Sequence, residues 1–99
     1  MNRNDIDVRK FELAANKLRA ISHPTRIAIM ELLSKDNKLS VTDIYTALKI
    51  EQATVSHHLS ILKNNGVLVS KREGKKNYYA ISNVALSDII ECVNRCNQH

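Results

Sequence analysis

SVTDIYTALKIEQATVSHHLSILKNNGVLVSKREGKKNYYAIS, residues 40–82, changes its hydrophobic period once, and that change decides the fold. Ser40 followed by Asp43 is a capping-box pattern: the hydroxyl accepts a backbone N–H and the carboxylate suits the positive end of a helix. A short helix is predicted over Val41–Leu48, with Val41, Ile44, Ala47 and Leu48 inward. Lys49-Ile50-Glu51 reads as a three-residue turn. A second helix is predicted over Gln52–Asn64, where Val55, Leu59 and Leu62 cluster on one side at 100° per residue. Asn65-Gly66 ends it, because glycine tolerates the left-handed backbone such a stop requires. Beyond it the period becomes that of strands. Val67–Arg72 and Asn77–Ser82, about a Gly74-Lys75 turn, predict a β-hairpin.

Working outward, residues 6–21 repeat apolar side chains at Val8, Phe11, Ala15 and Leu18, with Ala14 and Ile21 extending the stripe, which predicts an amphipathic first helix. Pro24 suits the first position of a second helix, where its missing N–H costs nothing. Ile27, Ile29, Met30, Leu32 and Leu33 make that helix apolar nearly all round and so the central core element. Ser34–Lys38 reads as a polar loop. Asn83 caps a last helix with Leu86, Ile89, Ile90, Val93 and Cys96 on one face. The predicted architecture is mainly α with a small β-hairpin, a winged helix-turn-helix in the order α-α-α-α-β-β-α. It forms one domain over residues 1–99, without a linker.

Ninety-nine residues support one modest core, and a chain this short buries only about 60–65% of its unfolded surface, so a second copy would help it. The cysteines, Cys92 and Cys96, form no disulfide framework, and no run is long or apolar enough for a membrane span or signal peptide. The expectation is a cytoplasmic protein with no membrane partner. Residues 52–80 carry Lys63, Lys71, Arg72, Lys75 and Lys76 against Glu73 alone, a net +4 of the chain's +5. A concentrated patch of that kind is what a phosphate backbone requires. The histidines have no nearby paired carboxylate or nucleophile, and there is no glycine-rich phosphate loop, so an enzyme is not expected.

A short helix–turn–helix pair can seat its second helix in the major groove. Ala53, Ser56, His57, Ser60, Lys63 and Asn64 fan out opposite the buried side of that helix, and Gln52 stands at its start. The face is polar and bears one charge, which lets Ser, Gln, Asn and His approach base edges closely. A merely solvated face would carry more Glu and Lys. His58 lies towards the buried side and is expected at the core edge. Lys71, Arg72, Lys75 and Lys76 crowd the hairpin tip, where they can follow phosphates or enter the narrower groove. Tyr78 and Tyr79 alternate, so one is expected on the core and the other near the surface.

Three segments carry a resemblance: Ser22-His23-Pro24-Thr25-Arg26-Ile27, then Gln52 to Leu62, then Arg72-Glu73-Gly74-Lys75-Lys76-Asn77-Tyr78-Tyr79. In that order and spacing the chain resembles the ArsR family of bacterial winged-helix repressors over nearly its whole length. The resemblance implies a homodimer built through the first and last helices, an inverted-repeat operator in double-stranded DNA, and release on a signal. It implies groove contacts from Gln52, Ser56 and His57 and wing contacts from Arg72, Lys75 and Lys76; Ala53, Thr54, Ser60 and Lys63 complete the expected DNA-binding set. Glu51 departs from the pattern, which favours a small capping residue there.

The resemblance also lets metal sensing be tested. Leu39–Ile44 lacks the cysteine pair of the arsenic and cadmium type. For the zinc type the early positions correspond to Asn83 and Ala85, neither a useful ligand, and the late ones to Cys96 and His99. Neither a metal nor any other cofactor is therefore expected. Asp88, Cys92 and His99 do fall within about 40° on a helix, with Cys96 about 40° further round, a thiolate–imidazole set that would suit Zn²⁺ or Cu⁺. Against this, Cys96 continues an apolar face, so packing at an interface is the simpler role. An intrahelical Cys92–Cys96 disulfide has poor geometry, so oxidation would instead link two chains. The favoured reading is a DNA-binding repressor without the usual metal sites. The alternatives are a metal- or thiol-responsive repressor sensing through Cys92, Cys96 and His99, and a winged-helix protein-interaction module.

Overall fold

A computed structural model describes residues 5–97. After a 3-10 turn at Val8–Phe11 come helices α1 (Glu12–Ile21) and α2 (Pro24–Lys35), and strand β1 (Leu39–Ser40). Then follow α3 (Val41–Leu48), α4 (Gln52–Asn64), β2 (Leu68–Glu73), β3 (Lys76–Ile81) and α5 (Val84–Cys96). The boundaries follow from the caps. His23 Nδ1 accepts from Thr25 N at 3.1 Å with Pro24 in the first turn of α2, and Asn83 Oδ1 accepts from Ala85 N at 2.9 Å at the start of α5. The capping box of α3 is complete: Asp43 N donates to Ser40 Oγ at 3.1 Å and Ser40 N to Asp43 Oδ2 at 3.0 Å. These bonds, from the Ser40 backbone first, hold the Asp43 carboxyl below its usual range.

The helix–turn–helix corner uses a left-handed residue, though not a glycine: Lys49 has φ 56° and ψ 42°. At the far end of α4, Gly66 takes φ 76°, Gly66 N donates to Lys63 O at 3.0 Å and Val67 N to Leu62 O at 2.9 Å. That pair of bonds closes the last turn of the helix and reverses the chain into β2.

The sheet adds an element that the sequence reading omits. β1 pairs antiparallel with β3, Leu39 opposite Tyr79 and Ser40 opposite Tyr78, so the strand order is β1-β3-β2 and β3 is central. Two residues have no readable period, and their pairing depends on a strand nearly 40 positions away. The hairpin itself is in the expected place, with Glu73 opposite Lys76 across the Gly74-Lys75 turn.

The core joins Ala20 and Ile21 of α1, Ile29, Met30 and Leu33 of α2, Ile44 of α3, Val55, Leu59 and Leu62 of α4, Val67, Leu68, and Leu86 and Ile90 of α5. One side-chain expectation needs correction. Ala47 is exposed, because Tyr45 takes the place beside Ile44 against the core. The stripe of the first helix is divided: Ile21 is buried beside Ala20 and Ala15 is half-buried, whereas Val8, Phe11 and Leu18 are exposed, as are Ala14, Ile6 and Leu13. Cys92 and Cys96 are both exposed. His99 lies outside the described residues. The radius of gyration is 15.1 Å, where a compact chain of this length would have about 13 Å, so the molecule is elongated, 53 × 34 × 21 Å along its principal axes.

Candidate nucleic-acid interface

Burial orients α4. Val55, Leu59 and Leu62 are fully buried, so at 100° per residue Ala53, His57 and Ser60 must face away, and all three are exposed; Gln52 and Lys63, nearer the buried side, are exposed at the two ends of the helix. Thr54 is exposed as well, while Ser56, at the edge of the buried sector, is half-buried. Glu51 occupies the N-cap position without a side-chain cap bond, so the first amides of α4 are not closed off by the protein. The exposed side of α4 thus combines hydroxyls, an imidazole, an amide side chain and a helix start, with Lys63 in the last turn as its one cation.

The hairpin supplies charge. Lys71, Arg72, Lys75 and Lys76 are all exposed, and Arg72 Nε donates to Gly74 O at 3.2 Å, which lays the guanidinium along the turn. Gly74 has φ 62°, as a two-residue hairpin turn requires. Glu73 does not cancel this charge at the tip. Lys38 Nζ donates to both of its carboxylate oxygens, at 2.8 and 2.7 Å, ties the loop before β1 to β2 and holds the Glu73 carboxyl below its usual range. The same ammonium stands 4.9 Å over the Tyr78 ring, whereas Tyr79 packs on the core, so the two tyrosines divide as expected.

Lys75, Lys76 and Asn77 share a cleft with Ser40, Val41 and Thr42, so the hairpin tip closes on the first turn of α3. The sequence places Asn77 in the hairpin but does not place Thr42 near it; the β1–β3 pairing brings Thr42 to the tip.

His58 is buried, as expected, but in polar company. Arg26 Nε donates to its Nδ1 at 3.1 Å, and Arg26 Nη1 donates to Ala20 O at 3.0 Å. The His23 ring lies 4.6 Å away, tilted by 44°. Burial first, then the neighbouring His23, Arg26 and His57, lower the His58 pKa. Nothing in the local pattern marks Arg26 or His23 as its partners, 32 or more positions upstream. At the other end of the molecule Cys92 and Cys96 face outward on α5, and among the described residues no three His, Cys, Asp or Glu side chains are grouped to hold a metal ion. No helix among the described residues is long and apolar enough to cross a membrane.

The sequence signature described as "Bacterial regulatory protein, arsR family" matches residues 23–71, from the cap of α2 into the hairpin. An HTH-type transcriptional regulator of Methanocaldococcus jannaschii is 39% identical over 84 residues, covering 85% of this chain and 94% of that one. The transcriptional repressor PagR of Bacillus anthracis is 37% identical over 90% of this chain and 89% of its own. The PagR crystal structure superposes with a TM-score of 0.81 over 88% of this chain and 99% of that one, at 36% identity. A homodimeric winged helix-turn-helix DNA-binding domain from Mycobacterium bovis shares the fold at a TM-score of 0.81 and 24% identity, over 99% of this chain and 90% of that one. Helix–turn–helix, basic wing and kinship agree: this chain belongs to the ArsR family of winged helix-turn-helix transcriptional regulators, which are not enzymes.

Proposed function

We propose that the chain acts as a homodimeric repressor that reads an inverted repeat in double-stranded DNA, with α4 in the major groove and the β2–β3 wing on the flanking backbone. The observation that carries this reading is the outer side of α4, polar and nearly uncharged, next to a hairpin tip that concentrates cations. Gln52, Ala53, Thr54, Ser56, His57 and Ser60 supply base-edge and nearby sugar–phosphate contacts, and Lys63, Arg72, Lys75 and Lys76 bind phosphate. PagR, a transcriptional repressor by name, supports repression as the outcome.

The uncovered apolar side chains Ile6, Val8, Phe11, Leu13 and Leu18 support dimerisation through the first helix, with α5 completing the interface. The Mycobacterium bovis domain of the same fold is itself a homodimer. As to control, the zinc-type donor set does not fit this chain: Asn83 already spends its side-chain oxygen on the cap of α5, and Ala85 has no donor. The cysteine pair of the arsenic and cadmium type is missing from Leu39–Ile44. We therefore read the protein as a regulator without a resident metal.

Selection from a random duplex library tests the proposal. The expected product is a pseudo-palindrome with half-sites about one helical turn, ~34 Å, apart, bound with an affinity that falls steeply with salt. Failure to enrich any sequence, with no salt dependence, would overturn it in favour of a protein-interaction module.

A further inference from the structure

We propose that Arg26 is a positioning residue for the DNA-reading helix, acting through a neutral His58 that it locks to the corner between α1 and α2. The inference rests on the assignment of α4 as the reading helix and concerns what holds that helix at its angle.

Val55, Leu59 and Leu62 bury the inner side of α4, but apolar contact is non-directional and tolerates a small rotation or slide. His58 is the polar side chain on that inner side; among the described residues only it and Ser40 are buried polar groups. Ser40 is accounted for by its capping box. His58 is accounted for by Arg26, whose planar guanidinium donates from Nε to His58 Nδ1 and from Nη1 to the Ala20 carbonyl. Two bonds in fixed directions from one rigid plane define an angle, which a flexible ammonium would not. Three elements are thereby joined at one point: the end of α1, the first turn of α2 and the middle of α4.

The lock requires a neutral imidazole. A ring that accepts at Nδ1 carries its proton on Nε2, and an imidazolium has no acceptor to offer. The titratable groups facing His58 are Arg26 and His23 from α2 and its cap, and His57 from α4, with no carboxylate among them. His23 is itself held by the Thr25 amide at 3.1 Å. Protonation of His58 would place a second cation against Arg26 and abolish the bond.

The consequence falls on the reading side. His57 adjoins His58 in sequence, with the rings 5.6 Å apart, and Ser56 precedes it. A rotation that breaks the Arg26–His58 bond moves both, and base-edge hydrogen bonds tolerate only a few tenths of an ångström. The wing lysines, on long flexible stems, tolerate far more. Loss of the lock should therefore erode sequence discrimination and spare non-specific binding.

The test compares an enriched library duplex with a scrambled one by fluorescence anisotropy, for the wild type and for Arg26→Met, Arg26→Lys and His58→Gln. Arg26→Met is expected to lose about tenfold in discrimination, roughly one good base contact, while its affinity for the scrambled duplex changes less than about twofold. Arg26→Lys should recover only part of this. His58→Gln, which keeps an acceptor but cannot titrate, should retain discrimination and lose the decline that the wild type shows as pH falls below the ordinary imidazole value of 6.5. Nitrogen NMR of the DNA-free protein should find His58 neutral and protonated on Nε2. If Arg26→Met does not fold, Arg26→Lys and His58→Gln carry the comparison. Equal weakening on both duplexes, unchanged discrimination in folded Arg26 variants, or His58 protonated on Nδ1 would overturn the proposal. Absence of any enriched duplex would instead remove the DNA-reading assignment, and the imidazole tautomer would still decide whether the lock exists.

Discussion

Removing the two lysines at the wing turn, in a Lys75→Ala/Lys76→Ala variant, separates the charge of the hairpin from its fold. Both side chains are exposed, and neither donates a hydrogen bond that holds the hairpin, whose turn depends on Gly74 and on the Arg72 bond to its carbonyl. Stability should therefore change by no more than about 0.5 kcal/mol. Glu73 offers no compensation, since its carboxylate is already taken by Lys38. Each phosphate contact contributes about 0.9 to the slope of log affinity against log salt, so four lysines lost from a dimer flatten it by up to about 3.6. Between about 50 and about 200 mM salt, the wild type should lose up to roughly 150-fold more affinity than the variant. Anisotropy titrations at several salt concentrations, on the enriched and scrambled duplexes, would measure both slopes. The variant should weaken on both duplexes alike. An unchanged slope, or a loss confined to the enriched duplex, would refute the assignment of the wing to the backbone.

Replacing Ser56 or His57 by Ala should cost about 1–3 kcal/mol on the enriched duplex and relax the preference at one position per half-site, as repeated library selection would show. A Leu13→Glu/Leu18→Glu variant puts charge into the uncovered stripe of the first helix; sedimentation should find monomers, and operator affinity should collapse because one half-site cannot hold the protein. Lys49→Gly removes a non-glycine residue from left-handed backbone at the α3–α4 corner and should raise stability by about 0.5–1 kcal/mol in denaturant titrations. The lowered His58 pKa gives stability a signed pH dependence. Above the ordinary imidazole value near 6.5 neither folded nor unfolded chain holds the proton; below it the unfolded chain binds a proton that the native chain refuses. Stability should fall as pH drops from that value to the lower native one and then level off, and His58→Gln should remove this component in thermal melts across pH.

Which parts of this were visible in the sequence follows from the range of the forces involved. The limits of α4 are set by local features, an extended Glu51 before it and Asn65-Gly66 after it, and its predicted span matches residue for residue. The capping box of α3 and the Asn83 cap are likewise local. The long-range features were not readable. β1 has two residues and exists because β3 passes beside it, and Thr42 reaches the wing tip through that pairing. Periodicity also reports which face of a helix is apolar and not what covers it. The stripe through Val8, Phe11 and Leu18 is a correct helix signal whose partner is not in this chain's own core.

The two sides of α4 explain why discrimination and affinity can reside in different parts of so small a protein. On the proposed reading, buried leucines leave the helix an outer face that must stay short and uncharged to reach base edges, so it would not also supply the attraction that brings DNA in. On that reading the attraction would come from the hairpin, whose one acid is neutralised from outside by Lys38. The cost is that the reading face has little affinity of its own to tolerate misalignment, and this is where the inner side matters. Apolar packing sets the depth of α4, the left-handed Lys49 corner sets its start, and the Arg26–His58 bond gives its buried side a direction. A shift of α2, which also carries the contacts of α5 through Glu31 and Asn94, would reach α4 through Arg26. The Arg26–His58 bond thus springs from the helix that contacts both α4 and α5.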